Sequence, residues 1–338
     1  MEQAMDVEQG SRQLSAVGQP LGLVTYSRAH TLVPTYECFN RCTYCNFRAE
    51  PEQSPWLRLD SVAQQLPLLR QWGVCEILVL SGEVAPGSAR RADWLHHIVQ
   101  ICDLALQAGL LPHTNAGPLS RAEMAQLREV NVSMGLMVEQ ITPQLLETVH
   151  RHAPSKRPEV RLNQLIQAGE LGIPFTTGLL LGLGETEADW VESLRAIATI
   201  HHRYGHIQEV ILQPHSPGQR QLQPGAALDE AALVRAVHLA RACLPPDVVI
   251  QIPPNLVSHT GLLNCLVAGA RDLGGISPVD EVNPDYDHPT PESLREAIAP
   301  AGWQLQPRLP IYPQYDSWLP KPLRSLVQTW RNPSTSKG

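Results

Sequence analysis

The chain has 338 residues, of which 43% are hydrophobic and 17% are charged, so a sizeable core can be buried in one large domain or two ordinary ones. Its 26 basic and 33 acidic residues give a formal charge of −7, which argues against a nucleic-acid-binding protein. No apolar run is long enough to span a membrane, and the polar stretch 1–19 lacks the apolar core of a signal peptide. We therefore expect a cytoplasmic protein without nucleic-acid or membrane partners.

Apolar runs of strand length alternate with stretches of helical periodicity along most of the chain. The predicted strands are Thr31–Tyr36, Cys75–Leu80, Leu110–Thr114, Val132–Glu139, Pro174–Leu181, Glu209–Gln213, Asp247–Ile252 and Leu273–Ser277. The predicted helices are Leu57–Trp72, Asp93–Gln107, Ser120–Val130, one starting at Thr142, Pro158–Gly172, Thr186–Tyr204, Leu228–Leu244 and Thr260–Ala270. This succession predicts an α/β fold, a parallel (β/α) barrel of the TIM type, with a doubly wound open sheet as the alternative.

The composition also divides the chain into three expected segments. Residues 1–25 form a polar N-terminal extension, and residues 26–280 form the barrel. Residues 281–338 form a Pro-rich C-terminal segment that wraps the barrel and frays from Asn332 onward.

Three cysteines, Cys38, Cys42 and Cys45, stand four and then three residues apart after the first predicted strand. A closed zinc site wants four protein ligands and a fully ligated [4Fe–4S] cluster wants four thiolates, so three thiolates leave one iron open for another ligand. A zinc site completed by a distant histidine, or a disulfide with a spare thiol, are the alternatives. The other cysteines lie in apolar patterns and are interpreted as buried free thiols: Cys75, Cys102, Cys243 and Cys265.

Polar residues follow several predicted strands, at the barrel end where TIM-type enzymes place their active sites. They are Ser81-Gly-Glu83 after the second strand, His113-Thr-Asn115 at the end of the third, Glu139 at the end of the fourth and Gly182-Leu-Gly-Glu185 after the fifth. Each stretch alone is weak evidence for a binding site, because ordinary turns, solvated strand ends and structural histidines have similar sequences. We take His113 and Asn115 as candidate catalytic, substrate-contacting residues.

The C-x3-C-x2-C spacing, with Tyr44 just before the third cysteine, resembles the cluster motif of the radical S-adenosylmethionine (SAM) superfamily. The resemblance implies a [4Fe–4S] cluster on Cys38, Cys42 and Cys45, with the fourth iron open for SAM. It implies cleavage of SAM by one electron to methionine and a 5′-deoxyadenosyl radical. The implied SAM contacts are Tyr44, Ser81, Gly82 and Glu83 near the methionyl amino group, Arg161 at the carboxylate, Glu139 at the ribose, and Gly182 and Glu185 along the adenine.

Within this superfamily, several longer stretches are similar to the family that closes the ring of the deazaflavin FO, the precursor of coenzyme F420. These stretches are Tyr26-Ser-Arg28, Cys42-Thr-Tyr-Cys45-Asn-Phe-Arg48, Leu111-Pro-His-Thr-Asn115, Gly135-Leu-Met-Val-Glu139, Ile173-Pro-Phe-Thr-Thr-Gly178, Gly274-Gly-Ile-Ser-Pro278 and Val282-Asn-Pro284. The resemblance implies a lyase that cyclises a hydroxybenzyl–ribityliminouracil adduct with loss of ammonia. It also implies a companion subunit that makes the adduct and an electron donor such as flavodoxin or ferredoxin.

Two departures from that family stand out. Gln213-Pro-His-Ser-Pro217 replaces the usual Gln-Asn-Phe, and the stretch from His150 to Pro158 is unusually basic and Pro-rich. Two alternative functions therefore stay open: a radical SAM enzyme with another heterocyclic or amino-acid-derived substrate, and a non-enzymatic scaffold with structural zinc.

Overall fold

The computed structural model describes residues 22–223 and 225–332. Its strands are β1 (Leu23–Leu32), β2 (Glu76–Leu80), β3 (Leu111–Asn115), β4 (Ser133–Gly135), β5 (Phe175–Leu181), β6 (Ile207–Pro214), β7 (Val249–Gln251), β8 (Asp272–Ile276) and β9 (Gln304–Arg308). Strands β1 to β8 are parallel neighbours in chain order, and β1 pairs with both β2 and β8. The predicted TIM-type barrel is confirmed, and the open-sheet alternative is wrong because the sheet closes on itself.

Helices surround this barrel. They are α1 (Leu59–Gln71), α2 (Arg91–Gln107), α3 (Arg121–Arg128), α4 (Pro158–Glu170), α5 (Glu187–Tyr204), α6 (Glu230–Cys243), α7 (His259–Ala268), α8 (Pro291–Ile298) and α9 (Lys321–Arg331). Capping signals in the sequence fix some of the starts: the predicted capping box at Ser120 is formed with Glu123, and Thr186 caps α5.

The alternation of side chains along a strand separates the hydrophobic core from the barrel interior. On β2, Ile77 and Val79 are fully buried in the core beneath the helices, whereas Glu76, Leu78 and Leu80 line a cavity inside the barrel. The strand β2 therefore packs one face against the helices, which stabilises the fold, and turns its other face towards the cavity.

Several predicted boundaries differ from the structure. The first strand begins at Leu23 and ends at Leu32, because the residues after it turn into the cysteine loop instead of pairing. The fourth strand is regular only over Ser133–Gly135, and Glu139 rejoins the sheet as an isolated bridge to Leu179 with a left-handed φ of 66°. The helix predicted from Thr142 is a single 3₁₀ turn, Pro143–Glu147.

The C-terminal segment does more than wrap the outside of the barrel. Strand β9 pairs with β1 in parallel, and the residues after it cross the amino-terminal end of the barrel. There the carbonyl of Pro310 accepts hydrogen bonds from Ser133 Oγ at 2.6 Å and from Gln208 Nε2 at 3.1 Å. Residues 308–312, called the plug below, therefore close the barrel at the end opposite the cysteine loop.

Some expectations fall on other parts of the chain. The polar stretch 1–19 and the fraying expected beyond Asn332 lie outside the described residues. Among the helices that the structure describes, none is long and apolar enough to cross a membrane.

Candidate active site

A cavity of about 360 Å³ occupies the barrel interior. Residues of all eight barrel strands line it, together with the cysteine loop at one end and the plug residues Arg308 and Pro310 at the other. Eleven of the thirteen predicted site residues line it: Cys38, Cys42, Tyr44, Cys45, Ser81, Gly82, Glu83, His113, Asn115, Glu139 and Arg161. The fold thus brings together residues that lie more than 120 positions apart in sequence.

The cysteine loop is held in place by backbone hydrogen bonds at both its ends and its middle. Cys38 N donates to Ala49 O at 3.1 Å and Ala49 N donates to Tyr36 O at 2.7 Å, which closes the loop on itself. Arg41 N donates to His152 O at 2.8 Å, which docks the loop on the segment before α4. The three thiols therefore face the cavity from a loop that backbone hydrogen bonds hold against the barrel.

Gly82 and Gly117 make room for this arrangement. A Cβ on Gly82 would lie 2.2 Å from the carbonyl oxygen of Glu37, at the start of the cysteine loop. A Cβ on Gly117 would lie 2.3 Å from Cγ of Glu83, and Gly117 has a φ of +77°. The lack of a side chain at Gly82 therefore lets the cysteine loop approach the end of β2.

Gly117→Ala is expected to destabilise the protein by about 1–3 kcal/mol, because the methyl group clashes with Glu83 and φ is left-handed. The matched control is Gly87→Ala, since nothing lies within 4 Å of a Cβ there and its φ is unrestricted. Urea unfolding of both variants checks this. Equal stability of the two variants would contradict the close packing of Glu83.

Two buried cations and two buried carboxylates form a network beside the cysteines. Arg161 Nη2 donates to Glu83 Oε1 at 3.0 Å, and Arg161 Nη1 lies 3.8 Å from Glu139 Oε1. Lys156 donates to the same Glu139 oxygen. Burial alone would raise the pKa of Glu139, but Lys156 and Arg161 together outweigh it and lower the pKa. Arg161 is only 1% exposed, so it is a buried charge and not a surface charge.

Glu83 also ties this network to the cysteine loop. Asn40 Nδ2 donates to Glu83 Oε2 at 2.8 Å and lies 3.7 Å from the sulfur of Cys38. Ser155 donates its hydroxyl to the same carboxylate oxygen. A displacement of Glu83 would therefore change the position of Asn40, and with it the contact between Asn40 and the sulfur of Cys38.

Tyr44 contacts a histidine that we did not predict. Its hydroxyl lies 2.9 Å from His150 Nε2, and the two rings meet edge to face. Burial and the nearby charge of Lys156 lower the pKa of His150 to about 3, so the imidazole is neutral.

His113 lies in the middle of β3, not at its end, and its side chain points into the barrel. Its Nδ1 is 2.6 Å from Ser133 Oγ, and that hydroxyl gives its proton to Pro310 O. His113 therefore donates from Nδ1, which leaves the lone pair of Nε2 directed towards Gly135 and the cavity. Burial lowers the pKa of His113 to about 3, so this lone pair is available at neutral pH.

The pKa of His113 makes stability depend on pH. The unfolded chain binds a proton on this histidine below about pH 6.5 and the folded chain does not, so stability falls as the pH falls. We expect the free energy of unfolding of the wild type, relative to His113→Gln, to drop by about 1 kcal/mol between pH 6.5 and 5.5. Urea unfolding of both proteins at the two pH values measures this. A difference that stays constant would show that folding does not lower the pKa of His113.

Gly182 and Glu185 are the two predicted site residues that do not line the cavity. Glu185 accepts hydrogen bonds from Gly182 N at 2.6 Å, Leu183 N at 2.7 Å and Trp190 Nε1 at 2.7 Å. The carboxylate is thus used to hold its own loop together. Any role of this loop towards a ligand passes through its backbone.

Sequence reasoning missed several residues that line the cavity. Lys156 lies in the basic stretch that we noted as a departure, and that stretch was the available signal. Glu76 and Glu209 are carboxylates within apolar strands, a pattern that should have marked them. Arg308 gave no signal, because it lies in the C-terminal segment far from the barrel motifs in sequence.

Comparison with known proteins agrees with this geometry. A model of the radical SAM superfamily matches residues 32–197. A 7,8-didemethyl-8-hydroxy-5-deazariboflavin synthase of Trichormus variabilis is 60% identical over 318 residues, which cover 94% of each chain. The corresponding synthase of a Synechocystis species is 57% identical over 310 residues, 91% of this chain and 99% of that one.

Solved structures show the same fold at lower identity. The FeFe-hydrogenase maturase HydG of Carboxydothermus hydrogenoformans superposes with a TM-score of 0.72 at 18% identity, covering 94% of this chain and 80% of that chain. Methylornithine synthase (PylB) superposes with a TM-score of 0.66 at 17% identity, covering 84% of each chain.

A barrel of this kind, with three cysteines at its mouth and a superfamily match across them, defines a radical SAM enzyme. Its cofactors are a [4Fe–4S] cluster and SAM. At close to 60% identity over almost the whole chain, this protein belongs to the 7,8-didemethyl-8-hydroxy-5-deazariboflavin synthase family, and it acts in the synthesis of the deazaflavin FO.

The residues present fit these cofactors. Cys38, Cys42 and Cys45 are free thiols on one cavity wall, and thiolates are the ligands that iron–sulfur clusters use. Burial raises the pKa of Cys38 to about 11 and that of Cys42 to about 12, so a metal must displace the protons. Within the described ranges, no three His, Cys, Asp or Glu side chains converge on a single metal ion. A cluster does not require such convergence, since each cysteine binds a different iron.

Proposed function

We propose that this enzyme catalyses the ring-closing step of FO synthesis. Its substrate would be 5-amino-5-(4-hydroxybenzyl)-6-(D-ribitylimino)-5,6-dihydrouracil, and its products FO and ammonia, which makes it a carbon–nitrogen lyase. The observation that carries the proposal is that the stretches shared with this family meet on one cavity: the cysteine loop, β3, the end of β4 and β8 all line it. Similarity to the curated synthases over most of their length supports the same assignment.

The end of the cavity with the cysteine loop has a proposed role in binding the two cofactors. Cys38, Cys42 and Cys45 would hold the cluster, which supplies the electron that cleaves bound SAM to a 5′-deoxyadenosyl radical. Glu83 and Arg161 would bind the amino and carboxylate groups of SAM, and Glu139 its ribose. These groups already pair with one another inside the protein, so they are oriented before SAM arrives.

The middle of the cavity would shield the reaction from water. Leu78, Met137 and Ile211, called the apolar belt below, line the cavity. Leu78 and Ile211 lie two residues after Glu76 and Glu209 on β2 and β6, and Met137 follows β4. Gly178 makes room for this belt, because a Cβ there would lie 2.7 Å from the sulfur of Met137. A dry, closed site protects a radical from side reactions.

The proposal includes partners that act with this chain in the cytoplasm. A companion subunit would supply the adduct from tyrosine and a ribityl-substituted pyrimidine, and a flavodoxin or ferredoxin would supply electrons.

Anaerobic turnover with SAM and the adduct, labelled with ¹⁵N at its amino group, tests the proposal. We expect a fluorescent deazaflavin, 5′-deoxyadenosine and labelled ammonia in equal amounts. Formation of 5′-deoxyadenosine without deazaflavin would overturn the substrate assignment. It would favour the second candidate, another heterocyclic or amino-acid-derived substrate. That candidate is kept because Gln213, His215 and Ser216, from the stretch that departs from the family, line the cavity.

A further inference from the structure

The plug end of the cavity is polar, and the function described so far does not use it. Its cavity-lining side chains, called the polar floor, are Glu76, His113, Gln208, Glu209, Gln251 and Arg308. Going from floor to mouth, β2 contributes Glu76 and then Leu78, and β6 contributes Glu209 and then Ile211. The floor is therefore separated from the cysteine loop by the apolar belt, and it lies apart from the proposed SAM contacts.

A β-bulge builds part of this floor. The register of β5 against β6 shifts between Phe175 and Thr176, so Phe175 pairs with Ile207 and Thr176 with Glu209. The shift leaves Gln208 unpaired, and both Gln208 and Glu209 line the cavity although they are consecutive residues. Bulges that redirect side chains in this way are frequent next to functional sites.

A rigid frame beneath the floor fixes its charges. Arg308 donates from Nε and Nη2 to the two oxygens of Asp272 at 2.6 and 2.7 Å, and it also pairs with Glu209. Tyr312 donates to Glu209 at 3.0 Å, and Thr176 donates to its other oxygen at 3.1 Å. Asp272 is fully buried and does not line the cavity, so it serves the frame alone.

Several hydrogen-bond acceptors on the polar floor can still accept a hydrogen bond after these contacts are made. Glu76 is 7% exposed, and the hydroxyl of Ser27 is its hydrogen-bonding neighbour. Gln208 is 1% exposed, and its amide oxygen has no hydrogen-bond partner among the residues that the structure describes. The lone pair of His113 Nε2 adds a third acceptor. Buried acceptors of this kind cost free energy unless a ligand brings hydroxyl or amide donors to them.

We infer that the polar floor is the subsite for the polyhydroxylated chain of the substrate. This inference rests on the proposed function, whose substrate carries a ribityl chain, a pyrimidine ring and a hydroxybenzyl group. The hydroxybenzyl group has a single hydroxyl donor and the pyrimidine ring has N–H donors fixed in its plane, whereas four adjacent hydroxyls on one flexible chain can donate to Glu76, Gln208 and His113 together.

Equilibrium binding of two unreactive probes tests this inference without turnover. The probes are 5-amino-6-(D-ribitylamino)uracil and 5-amino-6-(methylamino)uracil, which differ in the polyol, and both are titrated into the reconstituted wild type and Glu76→Gln with SAM present. We expect Glu76→Gln to weaken binding of the ribityl probe at least about tenfold and to leave the methyl probe within about twofold, because a hydrogen bond to a charged group is lost with the polyol alone. Gln251→Ala is a second variant with the same expected pattern.

Controls separate this result from misfolding and from failure of the proposed function. Glu170→Gln, a carboxylate on the exposed Arg121 ion pair, should change the binding of neither probe. A urea-unfolding midpoint of Glu76→Gln close to that of the wild type shows that the variant is folded. If both probes weaken equally, or neither does, the floor does not bind the polyol and the inference is overturned. The proposed function fails separately, if the wild type binds the ribityl probe yet forms no deazaflavin from the adduct.

Discussion

Cys42→Ala is expected to abolish cluster assembly and SAM cleavage together while the barrel stays folded. Cys42 is 4% exposed and lines the mouth of the cavity, between the other two cysteines of the loop. With two thiolates left, the cluster loses one of its three protein ligands and we expect iron content and 5′-deoxyadenosine formation to fall to background. The loop itself is held by backbone hydrogen bonds, so the loss of stability should be about 1 kcal/mol.

Cys243→Ala is the matched control for this variant. Cys243 is a free, partly buried thiol at the end of α6 and does not line the cavity. Anaerobic reconstitution followed by iron, sulfide and 5′-deoxyadenosine assays should find this variant equal to the wild type. SAM cleavage that survives in Cys42→Ala would show that Cys42 is not a cluster ligand.

Arg161→Ala should have the largest effect on stability. The guanidinium is 1% exposed and neutralises Glu83 and Glu139, so its removal leaves two carboxylates in a buried site with Lys156 alone. Breaking a buried ion pair in this way costs about 3–5 kcal/mol. We also expect SAM binding to be lost, because the proposed partner of its carboxylate is gone. Chemical unfolding and SAM titration measure the two effects separately.

Two further variants sharpen this prediction. Arg121→Ala breaks the exposed pair with Glu170, and such pairs contribute about 0–1 kcal/mol. Arg161→Lys retains the charge but cannot reach Ser155 O, Met137 O and Glu83 at once as the guanidinium does, so it should recover only part of the stability. If Arg161→Ala were as stable as the wild type, the carboxylates of Glu83 and Glu139 would not depend on the Arg161 guanidinium for their neutralisation.

The sequence predicts the barrel well because alternating strand and helix patterns are local signals. It predicts that the three cysteines lie together at one end of the barrel because they stand within eight residues. The cavity floor is different. Strands buried on both faces carry no alternation of polarity, so a pattern such as Glu76-Ile-Leu-Val-Leu80 does not tell which face the glutamate takes.

Other differences between the site expected from the sequence and the site in the structure come from contacts that the local sequence does not show. Arg308 meets Asp272 and Glu209 only because β9 adds to β1 and turns across the barrel end, and nothing near Arg308 in sequence signals that path. The resemblance implies a ligand contact for Glu185, and in the structure its carboxylate accepts from amides of its own loop. Local sequence does not distinguish a carboxylate that binds a ligand from one that caps a turn.

The metal content of the anaerobically reconstituted wild-type protein tests the account most directly. Three thiolates on one loop beside Glu83 should hold four irons and four acid-labile sulfides per chain, and the electron paramagnetic resonance signal of the reduced protein should change when SAM is added. Zinc without sulfide, or a signal that SAM leaves unchanged, would contradict the account.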